Sequence, residues 1–160
     1  MSQVTAPKPK ESELLKQLLG EWSVGVSLKL PNYKILTGYG KLSAKILDSN
    51  LGVTSQMDLY IDESEDYFED AIWSFDRNSG KIHMFSLISQ GDVHDHIGGW
   101  LDPQNLKVKW VGRHEGKPAS EEIRLTWQSP DEIRIFEIEK LQNQPDVQIE
   151  YVAKRKKACK

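Results

Sequence analysis

Apolar residues recur at every second position through most of the chain, and short clusters of turn residues interrupt them at regular intervals. Trp22, Val24, Val26, Leu28 and Leu30 share one parity. On an extended strand, residues two apart face the same side, so this alternation predicts a strand with one buried face. The same reading gives ten strands, over residues 21–30, 33–47, 51–61, 67–75, 81–89, 93–101, 106–114, 120–128, 132–141 and 147–154. Turn chemistry separates them, as at Pro31-Asn32, Asp48-Ser49-Asn50 and Gln90-Gly91-Asp92. Leu14, Leu15, Leu18 and Leu19 alone follow helical spacing. Ser12 is the expected N-cap and Gly20 the expected stop.

The brevity of the connections decides the topology. Short loops force antiparallel neighbours, and no crossover is long enough for a parallel pair. Ten meandering strands remove their exposed edges by closing on themselves. The expected fold is therefore all-β, a ten-stranded antiparallel up-and-down barrel with a short N-terminal helix. Ten strands are more than the eight at which side chains just fill a lumen, so interior space is expected. Gly38 and Gly40 in the second strand predict a bend or bulge there.

Composition narrows the class. The 160 residues suit one domain with a single core. The expected division is a disordered segment over 1–10, the barrel over 11–155 and a basic tail over 156–160. A net charge of −3 gives no field that would gather nucleic acid. One cysteine, Cys159, rules out an internal disulfide. The N-terminal residues do not read as a secretory signal, and no run is long and apolar enough to span a bilayer, so a soluble cytoplasmic protein is expected. A monomer and a homodimer are both compatible with the sequence.

Leu19-Gly20-Glu21-Trp22, a short helix followed by Gly-x-Trp at the start of a β-meander, resembles the calycin group of lipocalins, fatty-acid-binding proteins and bacterial relatives. Gly98-Gly99-Trp100-Leu101 resembles an uncharacterised bacterial family of that superfamily. The resemblance implies that Gly20 and Trp22 lie at the closed end of the barrel. It also implies that Lys154 or Arg155, from the last strand, packs on the indole as a cation–π pair. It implies a small apolar or amphipathic ligand in the lumen. The fatty-acid-binding proteins' Arg-x-Tyr clamp is missing, since Ile149-Glu150-Tyr151 stands in its place. Haem, held by barrels of the nitrobindin kind, is an alternative, although the proline those barrels carry after Gly-x-Trp is absent here.

Four sets of residues carry candidate chemistry. Trp73, Phe85, Trp110, Trp127 and His114 are the expected ligand-binding set, because aromatic rings with a few polar groups suit a small-molecule pocket. The plainer reading is that the rings simply fill the barrel. His94, His96 and His114 are metal candidates, since residues two apart on a strand can aim two imidazoles at one ion. Pairing Leu101 with Leu106 puts His94 and His96 on the solvent face, whereas a bulge near Gly98-Gly99 turns them inward. Glu137 and Glu139 share the face of Ile133 and Ile135. Facing inward they would be a raised-pKa acid–base pair; burial statistics favour exposure. The basic tail and the acidic loop 62–66 read as solvated segments. The leading function is a binding barrel. The alternative is a metal- or carboxylate-dependent isomerase or hydrolase working in the lumen. No phosphate loop, nucleophile elbow or cysteine cluster is present.

Overall fold

The computed structural model describes residues 10–64 and 66–157. Of the expected disordered stretch 1–10, residues 1–9 lie outside the described residues, as does Cys159, while Lys10 is ordered and opens the helix. The chain forms α1 (Lys10–Leu15), a 3₁₀ turn (Lys16–Leu18) and ten strands. These are β1 (Gly20–Lys29), β2 (Ile35–Ile46), β3 (Gly52–Ile61), β4 (Tyr67–Asp76) and β5 (Lys81–Ile88). They continue with β6 (Val93–Asp102), β7 (Asn105–His114), β8 (Lys117–Ser129), β9 (Glu132–Leu141) and β10 (Val147–Arg155). Each strand pairs with the next, and β10 returns to β1, so the sheet closes with every pair antiparallel.

Alternation is what makes this possible. On β1, Trp22, Val24 and Val26 are buried while Glu21, Ser23 and Gly25 are exposed. The inward residues of all ten strands form one core that reaches from Leu15 and Leu18 on the helical segment to Ile149 and Tyr151 on β10. β2 pairs with β3 without a register break from Gly38–Ile61 to Ile46–Val53. The two glycines therefore mark a close approach and not a bulge. A Cβ on Gly40 would stand 1.9 Å from the Asp58 carbonyl oxygen.

The helical segment plugs one end of the cylinder. It starts earlier than its leucines indicate, at Lys10, so Ser12 lies inside the helix and is not its cap. The α-helical part is one and a half turns and tightens into the 3₁₀ turn, where the Leu19 amide donates to the Lys16 carbonyl. Leu15 and Leu18 are buried, and the Trp22 indole N–H donates to the Leu18 carbonyl at 2.8 Å. Gly20 opens β1 at φ +117°, and a Cβ there would lie 2.7 Å from an Arg155 guanidinium nitrogen. Arg155 lies over the Trp22 ring at 4.0 Å. It also donates to the carbonyls of Leu19, Gln17 and Pro130, and pairs with Asp131 at 3.3 Å. Of the two cations considered for this position, Arg155 is the one that occupies it.

The register of β6 against β7 differs from the expected one. Trp100, not Leu101, pairs with Leu106, and a bulge between Trp100 and Asp102 absorbs the extra residue. Leu101 is exposed. A shift of one residue exchanges the faces of a strand. His94 and His96 therefore point into the barrel, at 5% and 1% exposure, and Val93, Asp95 and Ile97 point out.

Candidate functional site: a carboxyl-rich lumen

The end of the barrel away from the helix holds a cavity of about 390 Å³. That volume is within the range of small-molecule pockets. Its walls combine apolar side chains, such as Leu28, Leu59 and Ile149, with an unusual density of acid and imidazole groups. Glu69 comes from β4, His94 from β6, Glu121 from β8, and Glu137 and Glu139 from β9; His96, also on β6, is buried beside Glu121 and does not border the cavity. Each glutamate shares the parity of buried apolar residues on its strand. Glu69 follows Ala71 and Trp73; Glu121 follows Ile123, Leu125 and Trp127; Glu137 and Glu139 follow Ile133.

Glu121 is the hub. One of its oxygens, Oε2, accepts from His94 Nδ1 at 3.1 Å and from His96 Nε2 at 2.8 Å. Trp110, the register partner of Glu121 on β7, stacks on His94 with ring centroids 3.7 Å apart and planes 19° from parallel. Two tyrosines donate to the other acids. Tyr67 Oη reaches Glu69 at 3.1 Å, and Tyr151 Oη reaches Glu137 at 3.0 Å.

Burial and mutual repulsion shape the ionisation of this set. Burial pushes the Glu69 carboxyl up to about 7, despite the Tyr67 hydroxyl, which favours the charged form. Burial likewise pushes Glu139 up to about 7, with Glu121 adding to the rise and His114 opposing it. Glu137 is raised well above the ordinary carboxylate range, by burial first and then by Glu139, Glu121 and Glu69. Burial and the neighbouring acids also raise Tyr67 and Tyr151, so both phenols stay protonated and act as donors. Glu137 and Glu139 border the cavity, which leaves part of their surface in contact with its contents while the wall encloses them.

Several expected site residues occupy other places. Phe85 lies on the outer face at 43% exposure, because Ile82, Met84 and Ser86 take the inward parity of β5. Trp73 is buried and donates its indole N–H to Ser55 Oγ at 2.9 Å. Trp127 packs against Trp100 with ring centroids 5.3 Å apart. Neither Trp73 nor Trp127 borders the cavity. Trp110 and His114 do. His114 stands half-exposed at the rim, 3.4 Å from an Asp92 oxygen, and does not join His94 and His96. Glu121 takes the place expected of His114 beside them. Glu137 and Glu139 face inward, contrary to the exposure that burial statistics favour.

Glu69 and Glu121 were not among the expected residues. Their signal was parity: each continues an inward apolar series by two residues. Composition hides them, because carboxylates are almost never fully buried without a partner.

The closed ten-stranded meander with a helical plug is the calycin-like barrel. Among solved structures, the chain is similar to the S-type phycobiliprotein lyase CPES from Guillardia theta. The identity is 11%, over 92% of this chain and 93% of that one, with a TM-score of 0.66. It is also similar to Rv2717c from M. tuberculosis, at 13% identity over 94% of this chain and 100% of that one, TM-score 0.70. A third similar structure is EF1p2_mFAP2b bound to DFHBI, at 10% identity over 92% and 100% of the two chains, TM-score 0.53. No protein-family model matches the chain, and no curated protein does. At these identities the likeness is one of fold. No helix among the described residues is long and apolar enough to cross a membrane.

Proposed function

We propose that this protein binds a small molecule in the open end of its barrel, and that the ligand pairs an apolar or aromatic body with cationic or N–H donor groups. It is a cytoplasmic relative of the bacterial calycin-like barrels in this reading. One observation carries it: four glutamates line the lumen with no arginine among the described lining residues. The one lysine there, Lys140, is mostly exposed and sits 3.7 Å from Asp146. A fatty acid or other anionic amphiphile would bring a further negative charge into this set, and the cost of a buried like-charge contact is several kcal/mol, of order ~4 at 4 Å. A protonated amine or a ring N–H gains a partner instead. Trp110 offers a flat apolar surface at the same level. A barrel of similar fold, EF1p2_mFAP2b, is bound to DFHBI, which supports small-molecule binding by a barrel of this kind.

Haem fits this set poorly. Its propionates would enter the field of the four glutamates that line the lumen. An acid–base reading has one observation in its favour: Glu139, held at about 7, borders the cavity beside Glu137. A carboxyl near neutrality is suited to proton transfer.

The test compares two planar fluorescent probes of similar size, cationic 9-aminoacridine and anionic anilinonaphthalene sulfonate. Saturable binding of the cation, weakened about tenfold or more in Glu139→Gln and Trp110→Ala, is expected. Binding should strengthen as pH rises through about 7, where Glu69 and Glu139 ionise. Equal or tighter binding of the anion would remove the proposal.

A further inference from the structure

We propose that His94, His96 and Glu121 form a binding site for one divalent transition-metal ion, placed at the floor of the lumen. The inference goes beyond small-molecule binding and does not require it. It rests on the spacing, burial and chemistry of three side chains.

The sheet sets the spacing. His94 and His96 are two apart on β6, so both rings project from one face. Glu121 reaches them from β8, two strands away, across Trp110 on β7. Donor atoms bound at about 2.1 Å to one ion lie roughly 3.0 Å apart at right-angle positions and about 3.4 Å apart at tetrahedral ones. Glu121 Oε2 stands 3.1 Å from His94 Nδ1 and 2.8 Å from His96 Nε2. One donor atom from each of the three residues lies within 4.8 Å of the other two. Both ring nitrogens aim at Glu121 Oε2, so an ion held by all three takes the point where the ring axes meet and the carboxylate oxygen withdraws to become its third ligand.

The chemistry is that of a facial triad. Two imidazoles and one carboxylate suit zinc, iron, cobalt and related ions better than calcium or magnesium, which prefer oxygen throughout. Three protein ligands leave positions open on the ion, and the cavity is where those positions face. Glu121 also belongs to a second group, with Glu137 and Glu139, in which one donor atom from each residue lies within 4.8 Å of the others.

The surroundings supply independent support. His96 Nδ1 and Ser86 Oγ are buried without a hydrogen-bond partner. Ser86 is the register partner of His94 and lies at 0% exposure. His96 Nδ1 lies on the ring edge away from Glu121 and an ion at Nε2 does not occupy it; Ser86 Oγ, beside His94, is left as an unused partner for a metal-bound water. The stack of Trp110 on His94 fixes that ring in the plane that presents Nδ1 to Glu121. Binding an ion replaces the proton each ring now offers to Glu121. A neutral ring moves that proton to its other nitrogen, and a charged ring releases it to solvent.

The experiment uses the full chain after chelator treatment. Zinc alone is titrated by competition with a chromophoric chelator, and cobalt(II) alone is followed by its visible absorption. One equivalent of each is expected, with a cobalt spectrum of nitrogen-containing ligation. Glu121→Gln keeps the size of the side chain and an acceptor oxygen for both rings, and should weaken zinc at least about tenfold. His96→Asn should abolish the site. His83→Ala should leave affinity unchanged, which separates this triad from the exposed pair His83–Asp95. Far-ultraviolet circular dichroism checks that each variant keeps its sheet; Glu121→Gln decides the matter if His96→Asn does not fold. Absence of stoichiometric binding, or zinc affinity unaltered in Glu121→Gln, would overturn the proposal.

Discussion

The ionisation of Glu69 yields a stability difference that can be calculated from the fold. Its carboxyl is held at about 7 in the folded protein, against an ordinary value of 4.5. The folded state therefore keeps a proton that the unfolded chain has released between these two values. By linkage, stability falls as pH rises through that window. The contribution is whole below about 4.5 and is lost once pH passes well above 7. A difference of about 2.5 pH units corresponds to about 3 kcal/mol. Glu69→Gln removes the titration yet keeps the shape, and its amide oxygen can accept from Tyr67 as the carboxyl does now. Urea unfolding from pH 4.5 to 9 measures the effect. The variant should match the parent at pH 4.5 and exceed it by up to about 3 kcal/mol at pH 9, with an unchanged m-value. For a chain of this length that is roughly 6–12 °C in Tm. Parallel stability curves for parent and variant would refute both the burial of an uncharged Glu69 and the reasoning from it.

Two further perturbations address the opposite end and the wall. Arg155→Ala removes the cation over Trp22 and its donors to three backbone carbonyls, and should cost about 3 kcal/mol by urea unfolding. Arg155→Lys keeps one charge without the fork and should recover part of that. Gly40→Ala places a methyl group against the Asp58 carbonyl, where backbone and not a flexible side chain must give way. A loss of about 2 kcal/mol or more is expected in thermal unfolding.

The strands and their closure were legible because half-buried antiparallel strands write their inner face into every second residue. Trp22-Val24-Val26 and Ile123-Leu125-Trp127 are plain cases. Two things were not legible. The first is the place of the β6 bulge, which falls at Leu101 between Trp100 and Asp102 and not at Gly98-Gly99, where the glycines suggest one. It alone decides whether His94 and His96 face in or out. The second is the inward set of glutamates. At Ser120-Glu121-Glu122, parity with Ile123 picks Glu121, and parity with Ala71 picks Glu69. Burial statistics argue the other way, since they average over proteins whose interiors have no cavity for an acid to border. Phe85 failed for the converse reason: ring size suggested the interior, whereas Met84 and Ser86 fix its strand's parity.

The seam where β1 meets β10 constrains how the molecule comes into being. The guanidinium that seals the plug and the carbonyl of Leu19 that receives it are 136 residues apart in sequence. Contacts so distant must wait for a large loss of chain freedom, and folds dominated by them form slowly. During synthesis, β1 emerges early and has β2 for a neighbour, but its second edge stays unpaired until the last strand leaves the ribosome. For that interval the nascent chain is an open, curling ribbon with an uncovered apolar concave side, and its vulnerability to misassociation ends only when the two ends of the sheet meet.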